Sequence, residues 1–499
     1  MESVALTNWS YCPDRWRSLQ VPHGPRKGRA HRGRRTAGAD GLVTVPAPAP
    51  DLRPAPDHHS ALAPHPDDGA HDGPRIIDAP DIARRVRDEN AQRVISRLAR
   101  NGHEAYLVGG CVRDLLVGRR PKDYDVATSA TPRQVRRLFP RNSHIIGRRF
   151  RLVHVHYGHE SIIETATFRS EPQAREDNDE DLLIVEDNVF GTAAEDARRR
   201  DFTVNGLFLD PNSERIIDFV GGLEDLDSRL LRTIGAPLVR MQEDPVRILR
   251  AIKFATRLDF HIEDATWDAM CATAPDLARS APPRVLEEIL RLLRSGTALG
   301  AFRKLRRCGA LQPILPDLDA HLGPLDHADD AQRERAEEFD RLLEALDSDV
   351  HTGYEPTTPV CLALLYHGIV ERDATERGLE DSMADYAQLT GEHIDALCEQ
   401  TRLSRRHSGR TRRILVQQGT FLRGSSRHFR PRLFCLSEDF PEALELFRLR
   451  AAAQGRGWDI YEGWAERYRE ALAMPAEEIE AERRRGRRRG RRRRRPRKS

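Results

Sequence analysis

The sequence predicts an α+β protein with a small mixed-sheet head, an all-helical neck and body, a disordered N-terminal segment and a basic C-terminal tail. Two patterns predict this class. Short β-rich runs with helices between them fill residues 104–168, and apolar residues recur at helical spacing from about Asp244 to about Met474. The length of 499 residues leaves room for roughly two to four domains with buried cores.

The domain boundaries follow shifts in composition along the chain. Residues 1–80 are rich in proline, histidine and arginine and show no apolar period, so they cannot bury enough surface to offset the entropy of ordering. We therefore expect order to begin near Asp81. The chain divides into a disordered segment at 1–80, a head at 81–235, a helical neck at 236–300, a helical body at 301–475 and a disordered tail at 476–499.

Within the head, turn signals separate the predicted elements. A helix begins after Gly109-Gly110 and ends at Gly118, and Thr131-Pro132 opens another helix as N-cap and first helical residue. Residues 171–181 contain six carboxylates and no large apolar residue, which predicts a mobile loop. The β-rich runs predict strands at 105–108, 123–128, 144–146, 151–157 and 161–168.

Two apolar stripes predict the first helices beyond the head. Val246, Leu249, Ile252 and Phe254 form one stripe, and residues 285–293 form another. The same helical spacing of apolar residues continues through the body, which is therefore expected to be helical throughout.

Charge is distributed unevenly along the chain. The net charge is only +3, but residues 483–499 hold twelve arginines and one lysine and no acid. The rest of the chain has 68 basic against 78 acidic residues, a net charge of −10. A polycationic block attracts polyanions, so nucleic acid is the first candidate partner. A merely solubilising or spurious low-complexity end is the alternative.

Cysteine usage and hydropathy indicate the cellular compartment of the protein. The seven cysteines are scattered and never form a C-x-x-C pair, which argues against a disulfide framework or a structural zinc site and favours a reducing compartment. No apolar run approaches the ~18 residues of a spanning helix, and the first twenty residues lack the apolar core of a signal peptide. We expect a cytoplasmic protein without membrane insertion.

Three features point to phosphoryl chemistry. Gly109 and Gly110 lie between a strand and a helix, where backbone N–H groups can approach phosphate, although such turns are often purely structural. Asp123 and Asp125 alternate along the next predicted strand, so both carboxylates project from one face and suit Mg²⁺, unless they only protect a strand edge. Glu164 can join them if its strand is adjacent; otherwise it is an ordinary solvent-facing acid.

Five motifs occur in order between residues 109 and 250. They are Gly109-Gly110-x-Val112-Arg113-Asp114, Asp123-x-Asp125, Arg199-Arg200-Asp201-Phe202-Thr203-Val204-Asn205, Asp218-x-x-Gly221-Gly222-x-x-Asp225-Leu226 and Glu243-Asp244-Pro245-x-Arg247-x-x-Arg250. Together they resemble the motifs of class II nucleotidyltransferases, the family of the tRNA CCA-adding enzymes and the bacterial poly(A) polymerases. The resemblance covers residues 85–300 firmly and continues more weakly to the C-terminus.

The resemblance implies a nucleotidyltransferase head and a role for each matched residue. Asp123 and Asp125 would hold two Mg²⁺ ions, and Glu164 is the candidate third catalytic acid. Asp244 and Arg247, three residues apart on one helix face, would read a base edge, although Asp244 could instead cap the helix ahead of Pro245. The other expected nucleotide contacts are Gly109, Gly110 and Arg113 at the triphosphate, Arg200 near the phosphates, Asp201 and Asn205 at the ribose or ordering the pocket, and Arg250.

A further segment separates the two branches of the family. Residues 145–155 resemble a stretch characteristic of the poly(A) polymerase branch, and the basic tail points the same way. The expected RNA contacts are Arg148, Arg149 and Arg151 beside the metal strand and Arg487, Arg488, Arg489, Arg491, Arg492 and Arg493 in the tail, with further RNA binding by the neck and body.

The expected activity is template-independent addition of AMP from ATP to RNA 3′ ends, with release of pyrophosphate. The RNA would be messenger RNA, regulatory RNA or a decay intermediate. A CCA-adding enzyme, which also uses CTP and prefers tRNA, is the nearest alternative. A non-catalytic RNA-binding adaptor is the alternative from another class, but the intact set of Asp123, Asp125, Arg113, Asp201 and Arg247 argues against it.

Overall fold

A computed structural model describes residues 73–147, 152–158, 161–170, 189–379, 381–423 and 429–481. The head is built on one mixed sheet of eight strands in the order β1-β8-β7-β2-β3-β6-β5-β4. Every neighbouring pair is antiparallel except β3 and β6, which are parallel. The strands are β1 (Arg75–Asp78), β2 (Ala105–Val108), β3 (Asp125–Thr128), β4 (Ser143–Ile146), β5 (Leu152–Tyr157), β6 (Ser161–Thr167), β7 (Leu207–Asp210) and β8 (Arg215–Asp218).

Six α-helices cover this sheet. The side chain of Asp88 caps the second helix by accepting from the N–H groups of Asn90 and Ala91. Thr131 and Gln134 form a reciprocal capping box at the fourth, which confirms the predicted start at Thr131-Pro132. The helices are α1 (Pro80–Arg84), α2 (Glu89–Arg100), α3 (Gly110–Leu116), α4 (Pro132–Leu138), α5 (Ala193–Arg198) and α6 (Gly222–Asp227), with a 3₁₀ turn at Thr203–Asn205.

The two faces of the sheet are buried by different helices. Ile95 of α2 and Val135 of α4 share a core with Val153 and Val155 of β5 on one face. Ala193 and Ala197 of α5 pack with Val108, Ala127 and Phe208 on the other. Because side chains alternate along a strand, His154 of β5 must face away from α2 and α4.

The neck follows the head and contains four α-helices and one strand of a small parallel sheet. Phe202 of the head packs edge-on against Phe254 of the neck, with ring centroids 5.9 Å apart. The neck elements are α7 (Pro237–Glu243), α8 (Val246–Leu258), β10 (His261–Ile262), α9 (Asp264–Thr273) and α10 (Pro282–Leu293), with a 3₁₀ helix at Ala274–Arg279, and β10 pairs in parallel with β9 (Leu230–Leu231) at the end of the head.

Ten further helices form the body. Five aromatic rings, those of Phe421, Phe434, Phe440, Phe447 and Trp464, meet where the last helices converge. The helices are α11 (Ala298–Arg307), α12 (Leu311–Ile314), α13 (Pro316–Leu322), α14 (Asp330–His351), α15 (Thr358–Glu376), α16 (Met383–Thr401), α17 (Arg405–Arg423), α18 (Pro431–Cys435), α19 (Phe440–Gln454) and α20 (Trp458–Leu472).

The predicted fold class is confirmed, with two corrections at the level of elements. Arg75–Asp78 pairs with Arg215–Asp218, so order begins before residue 81. This strand is stabilised by a partner about 140 residues away, which local composition does not reveal. Asp123 precedes β3 and does not lie within it. The predicted loop at 171–181 lies outside the described residues.

Two sequence expectations about solubility and redox state can be compared with the described chain. Cys111, Cys271, Cys308, Cys361, Cys398 and Cys435 all carry free thiols. Across the segments that the structure describes, no helix has both the length and the apolar character needed to cross a bilayer.

Candidate active site

A cavity of about 1600 Å³ opens between the head and the neck. Its walls come from α3, β3 and β6 of the head and from α7, α8 and α10 of the neck. All twelve head and neck residues predicted for catalysis or nucleotide binding line it: Gly109, Gly110, Arg113, Asp123, Asp125, Glu164, Arg200, Asp201, Asn205, Asp244, Arg247 and Arg250.

The glycine turn before α3 brings the backbone close to an arginine. Gly109 has φ of 70°, a conformation that side chains with a Cβ rarely adopt. A Cβ atom at Gly109 would lie 3.0 Å from Nη1 of Arg200. Glycine is therefore needed at this position both for the backbone conformation and for the approach of the guanidinium.

Three carboxylates line one wall of the cavity. Asp125 begins β3, Asp123 lies two residues before it, and Glu164 lies on the parallel neighbour β6, where Val126 pairs with Thr165. The adjacency of the two strands, which the sequence left open, is thus present. Burial, followed by the charges of Glu164 and Asp123, raises the pKa of Asp125 to about 6 against the opposing charge of Arg200. This wall therefore attracts cations.

Behind the cavity wall, a chain of hydrogen bonds joins head to neck. Nη1 of Arg113 donates to Oδ1 of Asn205 at 2.6 Å, and Nδ2 of Asn205 donates to Oδ1 of Asp201 at 3.0 Å. Nε of Arg250 donates to the other oxygen of Asp201 at 2.8 Å. Burial alone would raise the pKa of Asp201, but Arg250 and Asn205 hold it down at about 2. The network keeps Asp201 ionised and fixes α8 against the head.

Arg113 is a largely buried member of this network at the cavity wall. Its side chain is only 2% exposed, and its Nε and Nη2 both donate to Oδ1 of Asp114, at 3.0 and 2.6 Å. Nη1 donates to Asn205, so three of the five N–H groups of the guanidinium are engaged within the protein. These bonds give Arg113 a positioning role, and its contact with a triphosphate stays a prediction. The expectation that Asp201 and Asn205 order the pocket agrees with this network.

Arg200 is better placed to meet an anion. Asp196 accepts from its Nη2 at 2.9 Å, and the guanidinium lies 5.3 Å from the ring centroid of Phe208. About a quarter of the side chain remains exposed on the cavity side, near Asp125. Arg200 thus brings positive charge to the carboxylate wall from a fixed position.

On the neck side of the cavity, the position of Asp244 differs from the prediction. Asp244 has φ of −149° and ends α7, whereas Arg247 lies inside α8, so the two do not share one helix face. Asp244 does not cap α8 with its side chain either, because its Oδ2 accepts from Nη2 of Arg284 at 2.7 Å. Arg247 is held by Glu243, whose Oε2 lies 3.2 Å from Nη1. Both side chains nevertheless border the cavity.

Several lining residues were missed by the sequence analysis. Phe254 was assigned to the apolar stripe of α8, but its ring is partly exposed at the wall between Arg113 at 4.9 Å and Lys253 at 5.0 Å. His154 of β5 lies 3.5 Å from Glu164 across the strand pair. These residues reach the cavity because of how the strands and helices pack, and no local sequence pattern indicated it. Lys122, Arg257, Arg284, Arg291 and Arg294 also line the cavity.

The predicted RNA contacts lie outside the described residues. These are Arg148, Arg149 and Arg151 between β4 and β5, and the tail arginines Arg487, Arg488, Arg489, Arg491, Arg492 and Arg493.

Comparison with known protein families identifies the domains of this chain. Residues 105–232 match the Poly A polymerase head domain, residues 259–322 match the probable RNA and SrmB-binding site of polymerase A, and residues 380–499 match the polymerase A arginine-rich C-terminus. A mixed sheet that presents paired carboxylates to a helical neck, together with the head-domain match, defines the class as a nucleotidyltransferase.

Similar whole proteins narrow that class. The chain is 36% identical to poly(A) polymerase I of Haemophilus influenzae over 75% of its length and 83% of that protein. It is 37% identical to poly(A) polymerase I of Salmonella typhimurium over 75% of its length and 80% of that protein. The chain belongs to the bacterial poly(A) polymerase I family.

CCA-adding enzymes share a smaller part of the chain. The enzyme of Geobacillus kaustophilus is 38% identical over 46% of this chain and 55% of its own length. Among solved structures, the Bacillus stearothermophilus CCA-adding enzyme in complex with CTP matches with a TM-score of 0.54 and 25% identity, covering 77% of this chain and 82% of that one. Identity to this branch is thus as high as in the poly(A) polymerases but extends over less of the chain.

Proposed function

We propose that the protein adds AMP from ATP to RNA 3′ ends without a template and releases pyrophosphate. The observation that carries this proposal is the cavity itself, where Asp123, Asp125 and Glu164 face the nucleotide-binding candidates of the neck. The long match to poly(A) polymerases, which extends well beyond the head, supports AMP addition over CCA addition.

In this reaction the RNA 3′-oxygen attacks the α-phosphorus of ATP in line with the bond to the leaving pyrophosphate. One P–O bond forms, one breaks, and the proton of the 3′-hydroxyl is lost. The protein's part is to position both substrates and to stabilise charge. Arg200 suits the phosphates, and the ring of Phe254 with Asp244 and Arg247 offers a face and polar edges for the base.

The donor set of the carboxylate wall fits magnesium. In the segments the structure covers, no three His, Cys, Asp or Glu side chains are arranged to enclose a metal ion. Mg²⁺ commonly takes one or two carboxylates and completes its shell with water and substrate phosphates. Asp123 and Asp125 would hold it, with two ions when ATP is bound, and the ions would neutralise charge on the reacting oxygens. The raised pKa of Asp125 marks a place where like charges crowd and a cation is favoured.

The expected partners and compartment follow from the substrates. RNA 3′ ends and ATP are both present in the cytoplasm. Its reducing conditions also keep thiols free, as they are in the described cysteines. We infer that Arg148, Arg149, Arg151 and the tail arginines add sequence-independent affinity for RNA.

The test is extension of two labelled RNAs, a generic oligonucleotide and a tRNA lacking its CCA end, with each single nucleoside triphosphate and Mg²⁺. The Asp123→Ala/Asp125→Ala double variant serves as the inactive control. Long tails from ATP alone on the generic RNA, absent with the variant, support the proposal. Addition that needs CTP and is limited to tRNA would make the protein a CCA-adding enzyme, and binding without incorporation would make it an adaptor.

A further inference from the structure

The first turn of α17 carries arginines that the proposed function does not use. Arg402 ends α16, and Arg405 and Arg406 are the first two residues of α17. All three side chains are exposed, and the first turn contains no acid. Among the residues that the structure describes, none of the three forms an ion pair, whereas nearby Arg410 and Arg412 both do.

This placement is electrostatically unfavourable in the free protein. The N-terminus of a helix carries partial positive charge, so cations in the first turn are repelled and anions are attracted. Helix α4 shows the opposite arrangement, because its adjacent Arg136 and Arg137 lie in the last turn. An anion bound at Arg405 and Arg406 would relieve the repulsion.

Further positive charge converges on the same place. His407 follows Arg406, and its pKa is lowered by burial and then by the charges of Arg406, Arg410 and Arg294. Arg410 is neutralised by Asp439 and Glu442, at 3.1 and 2.7 Å. Arg294 has no carboxylate partner among the described residues, so its charge adds to that of Arg406.

Arg294 connects this cluster to the active-site cavity. Its Nε donates to the carbonyl of Pro356 and its Nη2 to Oγ1 of Thr358, both at 2.9 Å, which fixes it at the start of α15. The same side chain lines the cavity. Arg284 and Arg291 of α10 also line the cavity, and their spacing of seven and three residues places all three arginines on one side of the helix. Arg284 is paired with Asp244, and Arg291 is paired with Glu287 and Glu288, so Arg294 is the arginine of this row that adds uncompensated positive charge between the cavity and α17.

We propose that Arg294, Arg402, Arg405 and Arg406 form a track for the phosphates of the RNA strand upstream of its 3′ end. This inference rests on the proposed function, because it takes the 3′ end to lie in the cavity. The track contacts the backbone of single-stranded RNA, so it is independent of sequence and sensitive to salt. Arg405 and Arg406 do not line the cavity, so only RNA long enough to leave it reaches them.

The experiment compares the Arg405→Ala/Arg406→Ala variant of the full chain with wild type. The matched control is Arg136→Ala/Arg137→Ala, which removes two adjacent exposed arginines from the helix that covers the opposite face of the sheet from His154 and the cavity. Binding of fluorescein-labelled A₃ and A₂₀ RNA is measured by anisotropy between 50 and 300 mM salt. Because this readout is binding, it is independent of whether the protein adds AMP.

If the track binds RNA, the α17 variant, Arg405→Ala/Arg406→Ala, should bind A₂₀ several-fold more weakly than wild type and should bind A₃ equally well. The slope of log affinity against log salt for A₂₀ should fall by about 1.4, since each phosphate contact of a single strand contributes about 0.7. The control variant should match wild type with both RNAs. Wild-type affinity and slope of the α17 variant for A₂₀ would overturn the proposal, and so would an equal loss for A₃ and A₂₀ or an equal loss in the control.

Discussion

At the scale of single residues, the site is shaped by charges that lack their counter-charge. Asp125 lies beside Glu164 and Asp123, and its pKa rises to about 6 through burial and this crowding. Asp201, which is more deeply buried than Asp125, has its pKa held at about 2 because Arg250 pairs with it. The same residue type is thus poised to bind a cation in one place and fixed as an anion in the other.

Replacing Asp125 should separate catalysis from stability. Asp125→Asn removes one cation ligand, and we expect AMP addition to fall by about a thousandfold, the order seen when one preorganised electrostatic group is lost. The melting temperature should stay the same or rise, because the change relieves repulsion among like charges. Single-turnover extension and thermal unfolding measure the two effects. A loss of activity accompanied by a drop in melting temperature would instead point to a structural role.

His321 should make the protein less stable in mild acid. Burial, together with the charges of Arg372 and Arg335, lowers the pKa of its imidazole to about 3. Below the ordinary value of 6.5 the unfolded chain binds a proton that the folded chain does not. Its contribution to stability is therefore complete above pH 6.5 and declines by up to about 1.4 kcal/mol per unit towards pH 3.

Urea unfolding at a series of pH values measures this decline. The His321→Gln variant, which keeps a polar side chain of similar size, should show a shallower slope between pH 6 and 4 than wild type. Equal slopes would show that other groups carry the acid sensitivity.

At the scale of elements, the turn before α3 ties backbone conformation to the position of a cation. Gly109 and Gly118 flank this helix with φ of 70° and 76°. A Cβ at Gly109 would lie 3.0 Å from Arg200, whereas a Cβ at Gly118 would have nothing within 4 Å. The two positions therefore share a positive φ, and Gly109 alone has a cation within contact distance of a Cβ.

This difference gives a matched pair of variants. Gly109→Ala and Gly118→Ala should each lower stability by about 1–3 kcal/mol, the cost of holding a residue with a Cβ in a sparsely populated backbone conformation. Only Gly109→Ala should also reduce AMP addition, because Arg200 must move away from the phosphates. Extension kinetics with varied ATP and thermal unfolding check both expectations. Equal losses of activity in the two variants would argue against a role for Arg200.

At the scale of the whole molecule, charge is segregated between residues 1–482, which are acidic overall, and the basic residues 483–499. Removing residues 483–499 changes the net charge from +3 to −10. RNA would then be attracted only by local basic surfaces such as the neck wall and the start of α17. The RNA affinity that the tail adds should therefore be largely independent of which part of the RNA it contacts. The RNA affinity that the neck adds should depend on where the RNA lies relative to the cavity.

Truncation after Glu482 tests this division. We expect RNA affinity to fall at low salt and the salt slope to decrease by at most about 9, since the tail carries thirteen cations and each single-strand contact contributes about 0.7. Addition of the first AMP to saturating A₃ primer should be retained. Filter binding and primer extension report the two quantities, and an unchanged salt slope would show that the tail does not bind RNA.

The whole fold also shows which parts of the site local patterns could reveal. The glycine pair and the Asp-x-Asp spacing indicated the glycine turn and the carboxylate wall, although Asp123 lies before β3 and not within it as predicted. Arg113 and Asp244 were given direct substrate contacts, but each is also held by a residue far away in the chain, Arg113 by Asn205 at 92 positions and Asp244 by Arg284 at 40. No local pattern reports such distant partners.

The sequence by itself determined the fold class, the helical neck and body, the start of α4 at Thr131 and the twelve residues that meet in one cavity. These follow from periodicity, capping and ordered motifs, which act over a few residues. Only the tertiary structure decided that β1 pairs with β8, that Arg113 is committed to Asp114 and Asn205, and that Phe254 and Arg294 border the cavity. Those outcomes depend on which surfaces pack together once the chain has folded, because hydrogen bonds and ion pairs form with whatever partner packing brings within reach.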